Sequence, residues 1–137
     1  MLVNAGYISR NLTMAMDSGG CMCPVIECII HGTKFGIRIE NIRRVINSNH
    51  AAPIEKMRPS YTPRLEIAVG YAVISKKGRA VNLFIEEWGC FTVSLASLRS
   101  ILSGSKSYAR IAEISDMPVV PSHAQDWHAQ TQIVTLA

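Results

Sequence analysis

Hydrophobic positions in this chain change period twice in the same way. Phe35, Ile37 and Ile39 alternate with Lys34, Gly36, Arg38 and Glu40, and a period of two predicts a half-buried strand. Ile42, Val45 and Ile46 then fall at i, i+3 and i+4, which is one face of a short helix. Phe91, Val93 and Leu95 repeat the strand pattern, and Leu98, Ile101 and Leu102 repeat the helical one. Arg43 and Arg99 fall on the outward side of the two helices. Turn formers end both, Asn47-Ser48-Asn49 and Ser103-Gly104-Ser105.

The match extends upstream at a constant spacing of 56 residues. An apolar run, Val25 to Ile30, turns at His31-Gly32-Thr33 into Phe35; another, Val81 to Ile85, turns at Glu87-Trp88-Gly89 into Phe91. Each reads as a hairpin followed by a helix. Identities are few: Val25/Val81, Ile29/Ile85, Phe35/Phe91 and Arg43/Arg99. The expectation is an α+β, β-rich fold: a small antiparallel sheet or barrel with short helices, built from two hairpin–helix units. It is one domain over residues 1–137, with an internal repeat at 25–49 and 81–105.

Other segments read less regularly. Leu65, Ile67 and Val69 alternate, Gly70 interrupts and Tyr71 to Ile74 continues, which predicts one long strand with a bulge at the glycine. Ser75 to Arg79 forms a hairpin tip. Val81–Ile85 is apolar on both faces and predicts a central strand. His50 to Arg64 holds Pro53, Pro59 and Pro63, which predicts a long loop without regular structure. Near the start, Ile8, Leu12 and Ala15/Met16 suit a helix capped by Ser9 and stopped at Gly19-Gly20, and a strand over Leu2–Ile8 is the alternative. Toward the end, Ala109–Ile114 reads as a strand and Met117–Pro121 as extended. A short helix follows Ser122, Trp127 anchors the tail, and Ile133–Leu136 forms an edge strand.

Composition then narrows the class. The chain is 48% apolar and only 18% charged, which is globular and implies surface covered by a partner. With no signal sequence and no apolar run of membrane-spanning length, the expected setting is the cytoplasm, away from membranes, with Cys21, Cys23, Cys28 and Cys90 reduced. Asn11-Leu12-Thr13 then matches the glycosylation pattern by coincidence. The net charge of +4 is uneven: between Lys34 and Arg79 lie ten basic and three acidic side chains.

Candidate chemistry is sparse. Cys21, Cys23, Cys28 and His31 supply soft ligands, but their spacing departs from paired zinc knuckles. His31, His50, His123 and His128 share no local signature with a cysteine nucleophile. Gly104-Ser105-Lys106-Ser107 lacks the first glycine of a phosphate-binding loop and follows a helix. Asp126 could orient a histidine, but His123 and His128 would not share a helix face. No metal, catalytic residue or cofactor is assigned. A nucleic-acid surface would use Lys76, Lys77, Arg79, Arg43, Arg44, Lys56, Arg58 and Arg64 against phosphates.

The stretch VIECIIHGTKFGIRIENIRRVI, 22 residues, resembles the opening of the chemotaxis coupling-protein family, in which a hairpin runs into an aliphatic strand and a short helix. GYAVISKKGRAVNLF resembles that family's glycine–strand–turn–strand segment. The resemblance implies a small β-barrel scaffold that binds proteins. The proline-rich loop and the direct passage into a second copy depart from that family's pattern. The leading expectation is a non-catalytic binding or regulatory module that acts through protein contacts and self-associates. The alternatives are a nucleic-acid-binding protein, and a metal protein or enzyme whose site is assembled from distant segments.

Overall fold

Eight strands and two helices follow one another as β1 (Leu2–Met16), β2 (Met22–Ile30), β3 (Thr33–Arg38), α1 (Ile39–Ser48), β4 (Ala52–Arg58), β5 (Arg64–Ile74), β6 (Ala80–Ile85), β7 (Gly89–Ser94), α2 (Leu95–Ser103) and β8 (Tyr108–Ile114). This is a computed structural model, and it describes residues 2–114. The readings for Met117–Pro121, the helix after Ser122, Trp127 and Ile133–Leu136 lie outside the described residues.

The strands close into an antiparallel barrel in sequence order, with β8 returning to β1. At fifteen residues β1 is the longest strand. It pairs with β2 from Gly6 to Met16 and with β8 from Leu2 to Ser9. Its far end also meets β5 in a parallel contact, Met16 to Arg64. One main core fills the barrel, and a small cluster of Ala15, Val25, Met57 and Leu65 packs near the far end of β1.

The segment from Ser9 to Met16 is therefore strand, not helix. Its helix-like spacing comes from a register shift between Ser9 and Leu12, because a bulge resets the alternation of faces. The proline-rich stretch is not a loop throughout, since it contains β4. Pro53 is tolerated there because β4 pairs only with β5 at that point, while β3 meets it only at Glu55 and Lys56; a proline without an N–H suits such an edge-like position. β5 is one long strand with a register shift beside Gly70, as the pattern implies, although Ile67 breaks the alternation and is 70% exposed. Val81–Ile85 does run between two strands, with Asn82 and Phe84 only half-buried.

Both helices start on a residue that the alternation gives to the strand, Ile39 and Leu95. Each ends on a residue in the left-handed region, Asn49 (φ 57°) and Gly104 (φ 87°), the conformation that closes a helix C-terminus. Ile42 and Val45 bury the face of α1, and Leu95, Leu98 and Ile101 that of α2. Arg43 and Arg99 are exposed.

Two of the four aligned identities do not hold matching places. Ile26, Cys28 and Ile30 belong to the main core in β2, and Val81, Leu83 and Ile85 do in β6, whereas Val25 belongs to the small cluster. The β2–β3 turn spans two residues between the pair Ile30 and Thr33. The β6–β7 turn spans three between Ile85 and Gly89. That one-residue difference puts Val25/Val81 and Ile29/Ile85 out of step. Phe35 and Phe91 both enter the main core, opposite Cys28 and Leu83.

Two glycines mark close approaches of backbone. A Cβ on Gly6 would lie 1.7 Å from the carbonyl oxygen of Ile29, and one on Gly70 would lie 1.9 Å from that of Phe84. A register shift adjoins each: Ala5 is the extra residue between the pairs Gly6–Ile111 and Asn4–Ala112, and Val69 between Gly70–Ile54 and Ala68–Glu55. The N–H of His31 donates to Ala5 O, and the N–H of Glu86 donates to Val69 O. The two bulges thus share one hydrogen-bonding scheme.

Candidate functional site

The register shift in β1 also shapes the surface. Beyond it, cross-strand partners Leu12 and Ile26, Met14 and Pro24, and Met16 and Met22 project from one side of the β1–β2 ribbon. All six are apolar. Ile26 is buried in the main core, but Leu12 is 63% exposed, Met14 51% and Met22 46%. The alternating residues Val25 and Ala15 point the other way, into the small cluster. An apolar shelf is therefore left in solvent where the ribbon runs on past the helices.

A groove adjoins the shelf between the start of α1 and the end of α2. Its cavity of about 160 Å³ is lined by Leu12, Ile26, Ile39, Ile101 and Leu102, with Arg10 and Arg43 as its charged members. Arg10 Nη1 donates to Gly104 O at 2.7 Å, which ties β1 to the end of α2. On the other side of Arg10 is an open hollow of about 470 Å³, lined by Tyr7, Ser9, Ser107 and Tyr108. The two tyrosine rings meet edge to face at 6.4 Å.

A second polar cluster surrounds Arg38. Its guanidinium donates to Glu55 at 2.9 and 3.3 Å and lies 3.5 Å from Asp17 Oδ2 and 3.6 Å from Cys23 Sγ. The hydrogen bond to Glu55 raises the Arg38 pKa further. Backbone N–H donation from Cys21 holds the Asp17 carboxyl below its ordinary range. Burial raises the Cys23 thiol, so it remains a protonated thiol and a poor nucleophile. One cation between two carboxylates leaves the cluster with an excess of negative charge and its cation already paired, at the residue before α1.

The basic residues named from the sequence fall into separate groups. Arg58 and Arg64 are cross-strand partners at one end of β5. Lys76, Lys77 and Arg79 sit in the turn after its other end, about 30 Å away at ~3.3 Å per strand residue. Lys56 pairs with Phe35 between these ends. Arg44 lines a cavity with Glu40 and Glu55, while Arg43 lines the groove.

The soft ligands are likewise dispersed. Cys28 is buried in the main core, and His31 stands in a turn with Nε2 2.9 Å from Glu113 Oε1 and its ring against Trp88 and Phe91. Cys21 and Cys23 lie at the other end of β2. Among the described residues no group of three or more His, Cys, Asp or Glu side chains could hold a metal ion. None of the four cysteines is bridged.

Burial of acidic groups sets a pH dependence. Desolvation pushes the Cys28 thiol up to about 12 and the Cys90 thiol up to about 11 from an ordinary 9.0. Burial first, and then Cys90, push the Tyr71 hydroxyl up to about 12 from 10.0. All three are neutral in both states below the unfolded values, so stability is intact there. Above those values the unfolded chain loses protons that the folded chain keeps, and stability falls as pH rises toward about 12. Urea midpoints should therefore drop through the alkaline range. Cys28→Ala should be less stable near neutrality and show a shallower alkaline fall. In the same samples an aromatic disulfide reagent should reach Cys21 in the folded protein, but Cys28 and Cys90 only after denaturation.

Compared with protein-family models, curated proteins and solved structures, the chain matches none.

Proposed function

We propose that the protein is a non-catalytic module acting through protein–protein contacts, and that one partner is a second copy of itself docked through the β1–β2 shelf. The observation that carries this reading is the run of apolar pairs Leu12/Ile26, Met14/Pro24 and Met16/Met22, whose outer members remain exposed. Contiguous exposed apolar surface marks interaction sites, and flexible methionines adapt to an opposing surface. A nucleic-acid reading draws less support, because the cations sit in separate groups and Arg38 is already paired with carboxylates.

The same proposal includes an architecture of two related units, β1–β2–β3–α1–β4 and β5–β6–β7–α2–β8. Supporting it are the equivalent bulges at Ala5 and Val69, the close approaches at Gly6 and Gly70, and the paired helix ends at Asn49 and Gly104. Four unbridged cysteines support a reducing compartment such as the cytoplasm. Among the described residues no helix is long and apolar enough to cross a membrane.

Light scattering across micromolar concentrations tests self-association. The expected result is a concentration-dependent dimer that Met14→Lys together with Met22→Lys converts to monomer without lowering the melting temperature. A wild-type chain that is monomeric throughout would overturn the self-association.

A further inference from the structure

The groove between the helices differs from the shelf in one respect: it is apolar at its floor and cationic at its rim. Ile26 and Ile101 are buried beneath it, Leu12 and Leu102 stand at its sides, and Arg10 and Arg43 flank it. Among the described residues neither this cavity nor the adjoining tyrosine hollow has a carboxylate in its lining. Glu40, the acidic residue of α1, instead lines the separate cavity with Arg44 and Glu55.

The size of the cavity limits its occupant. At about 160 Å³ it falls below the ~300–1,000 Å³ of sites that enclose a whole small molecule or cofactor. It suits one large aliphatic side chain, and an anchor seated in a well-packed, desolvated pocket contributes far more to an interface than the contacts around it. The two rim arginines favour carboxylates on either side of that anchor, and arginine holds carboxylates with directional paired donors.

We infer that the groove is a docking site for a segment of another protein that carries a leucine- or isoleucine-sized anchor flanked by acidic residues. This does not require the chain to pair with itself, and because Leu12 and Ile26 belong to both surfaces, a docked segment and a second copy compete for them. Charge complementarity at the rim selects the segment and steers its approach, while the anchor supplies the burial. Arg10, already bonded to Gly104 O, is held in place at the junction of the two cavities. Arg43 approaches from the opposite helix.

The test uses two short fluorescein-labelled peptides with the same central leucine, one flanked by glutamates and the other by lysines, read by anisotropy at low salt. The glutamate peptide should bind about tenfold or more tightly than the lysine peptide, and replacing its leucine by alanine should weaken it comparably. Arg43→Glu should shift the preference toward the lysine peptide. Arg43 is the residue to reverse, because Arg10→Glu would also break the bond to Gly104; thermal melting confirms that the variant is folded. Equal binding of both peptides, binding of neither, or an unchanged preference in Arg43→Glu would overturn the proposal. So would displacement of the glutamate peptide by a short single-stranded RNA combined with a dispensable leucine, since the site would then read charge alone. Because the readout is peptide binding rather than mass, a monomeric protein in light scattering leaves this inference standing.

Discussion

Gly6→Ala is expected to cost at least about 3 kcal/mol or to prevent folding, and Gly70→Ala should do nearly as much. Neither effect comes from backbone conformation. The added methyl group would lie 1.7 or 1.9 Å from a carbonyl oxygen of the neighbouring strand, far inside van der Waals contact. The obstacle is backbone, so no side chain can turn aside to make room. Relief would require β1 to move off β2, or β5 off β6, and each pair carries a ladder of hydrogen bonds. Gly20 supplies the control. Its φ is +84°, and a Cβ there would meet nothing within 4 Å, so alanine should cost only about 1 kcal/mol through the dihedral penalty. Urea denaturation followed by circular dichroism separates the cases. If Gly6→Ala and Gly20→Ala prove equally mild, the strands do not approach as closely as described.

The second large effect concerns the phenylalanines of β3 and β7. Phe91 is fully buried, opposite Leu83 and against the His31 ring. Phe35 is 2% exposed and meets Trp88 edge to face at 5.4 Å. Phe91→Ala and Phe35→Ala should each cost ~3–5 kcal/mol, combining lost transfer energy with the cavity left behind. Phe35→Ala should also change Trp88 fluorescence, because the indole loses its neighbour. Arg43→Ala and Arg99→Ala should stay within ~0.5 kcal/mol, as exposed substitutions usually do. Denaturant melts of the four variants decide this. Arginines as costly as the phenylalanines would mean that the outward faces of α1 and α2 are misassigned.

What could be read from the sequence follows from where a single period governs. In β3–α1 and β7–α2 the alternation is uninterrupted and the change to helical spacing is sharp, so strands, helices and both phenylalanines are legible. Asn49 and Gly104 are visible as ends because few other residues take the left-handed conformation readily. In β1 two register shifts break the alternation, and Ile8, Leu12 and Ala15/Met16, on either side of the second, imitate a helix face. Ile67 misleads for a related reason, since a second register shift in β5, between the pairs Leu65–Met57 and Ala68–Glu55, falls on it and breaks the alternation. Pro53 misleads because its tolerance depends on which neighbours β4 lacks, a tertiary fact.

The candidate groove was not legible at all. Leu12, Ile26, Ile39 and Leu102 come from four elements, and each reads singly as ordinary core. Arg10 carried no signal, because its placement depends on the bulge and on the distant Gly104. The basic segment was the most visible charge pattern, yet strand length spreads it over opposite ends of β5. The aromatic contact of His31 with Trp88 joins two hairpin turns and has no counterpart in local spacing.

The return of β8 to β1 has a consequence for how the chain reaches its native state. Ile8 lies opposite Ala109, and Ser9 opposite Tyr108, so the first strand waits for the last described one. Loop closure across so much chain is slow, because its entropy is lost before the contacts form. During synthesis β2 can pair with β1 early, but the other edge of β1 stays open until Tyr108–Ile114 leaves the ribosome. An open edge beside Leu12 and Met14 invites pairing with a neighbouring nascent chain. Refolding should therefore be slow for a protein of this size and sensitive to concentration, and a chaperone that shields the first strand should raise the yield more than the rate.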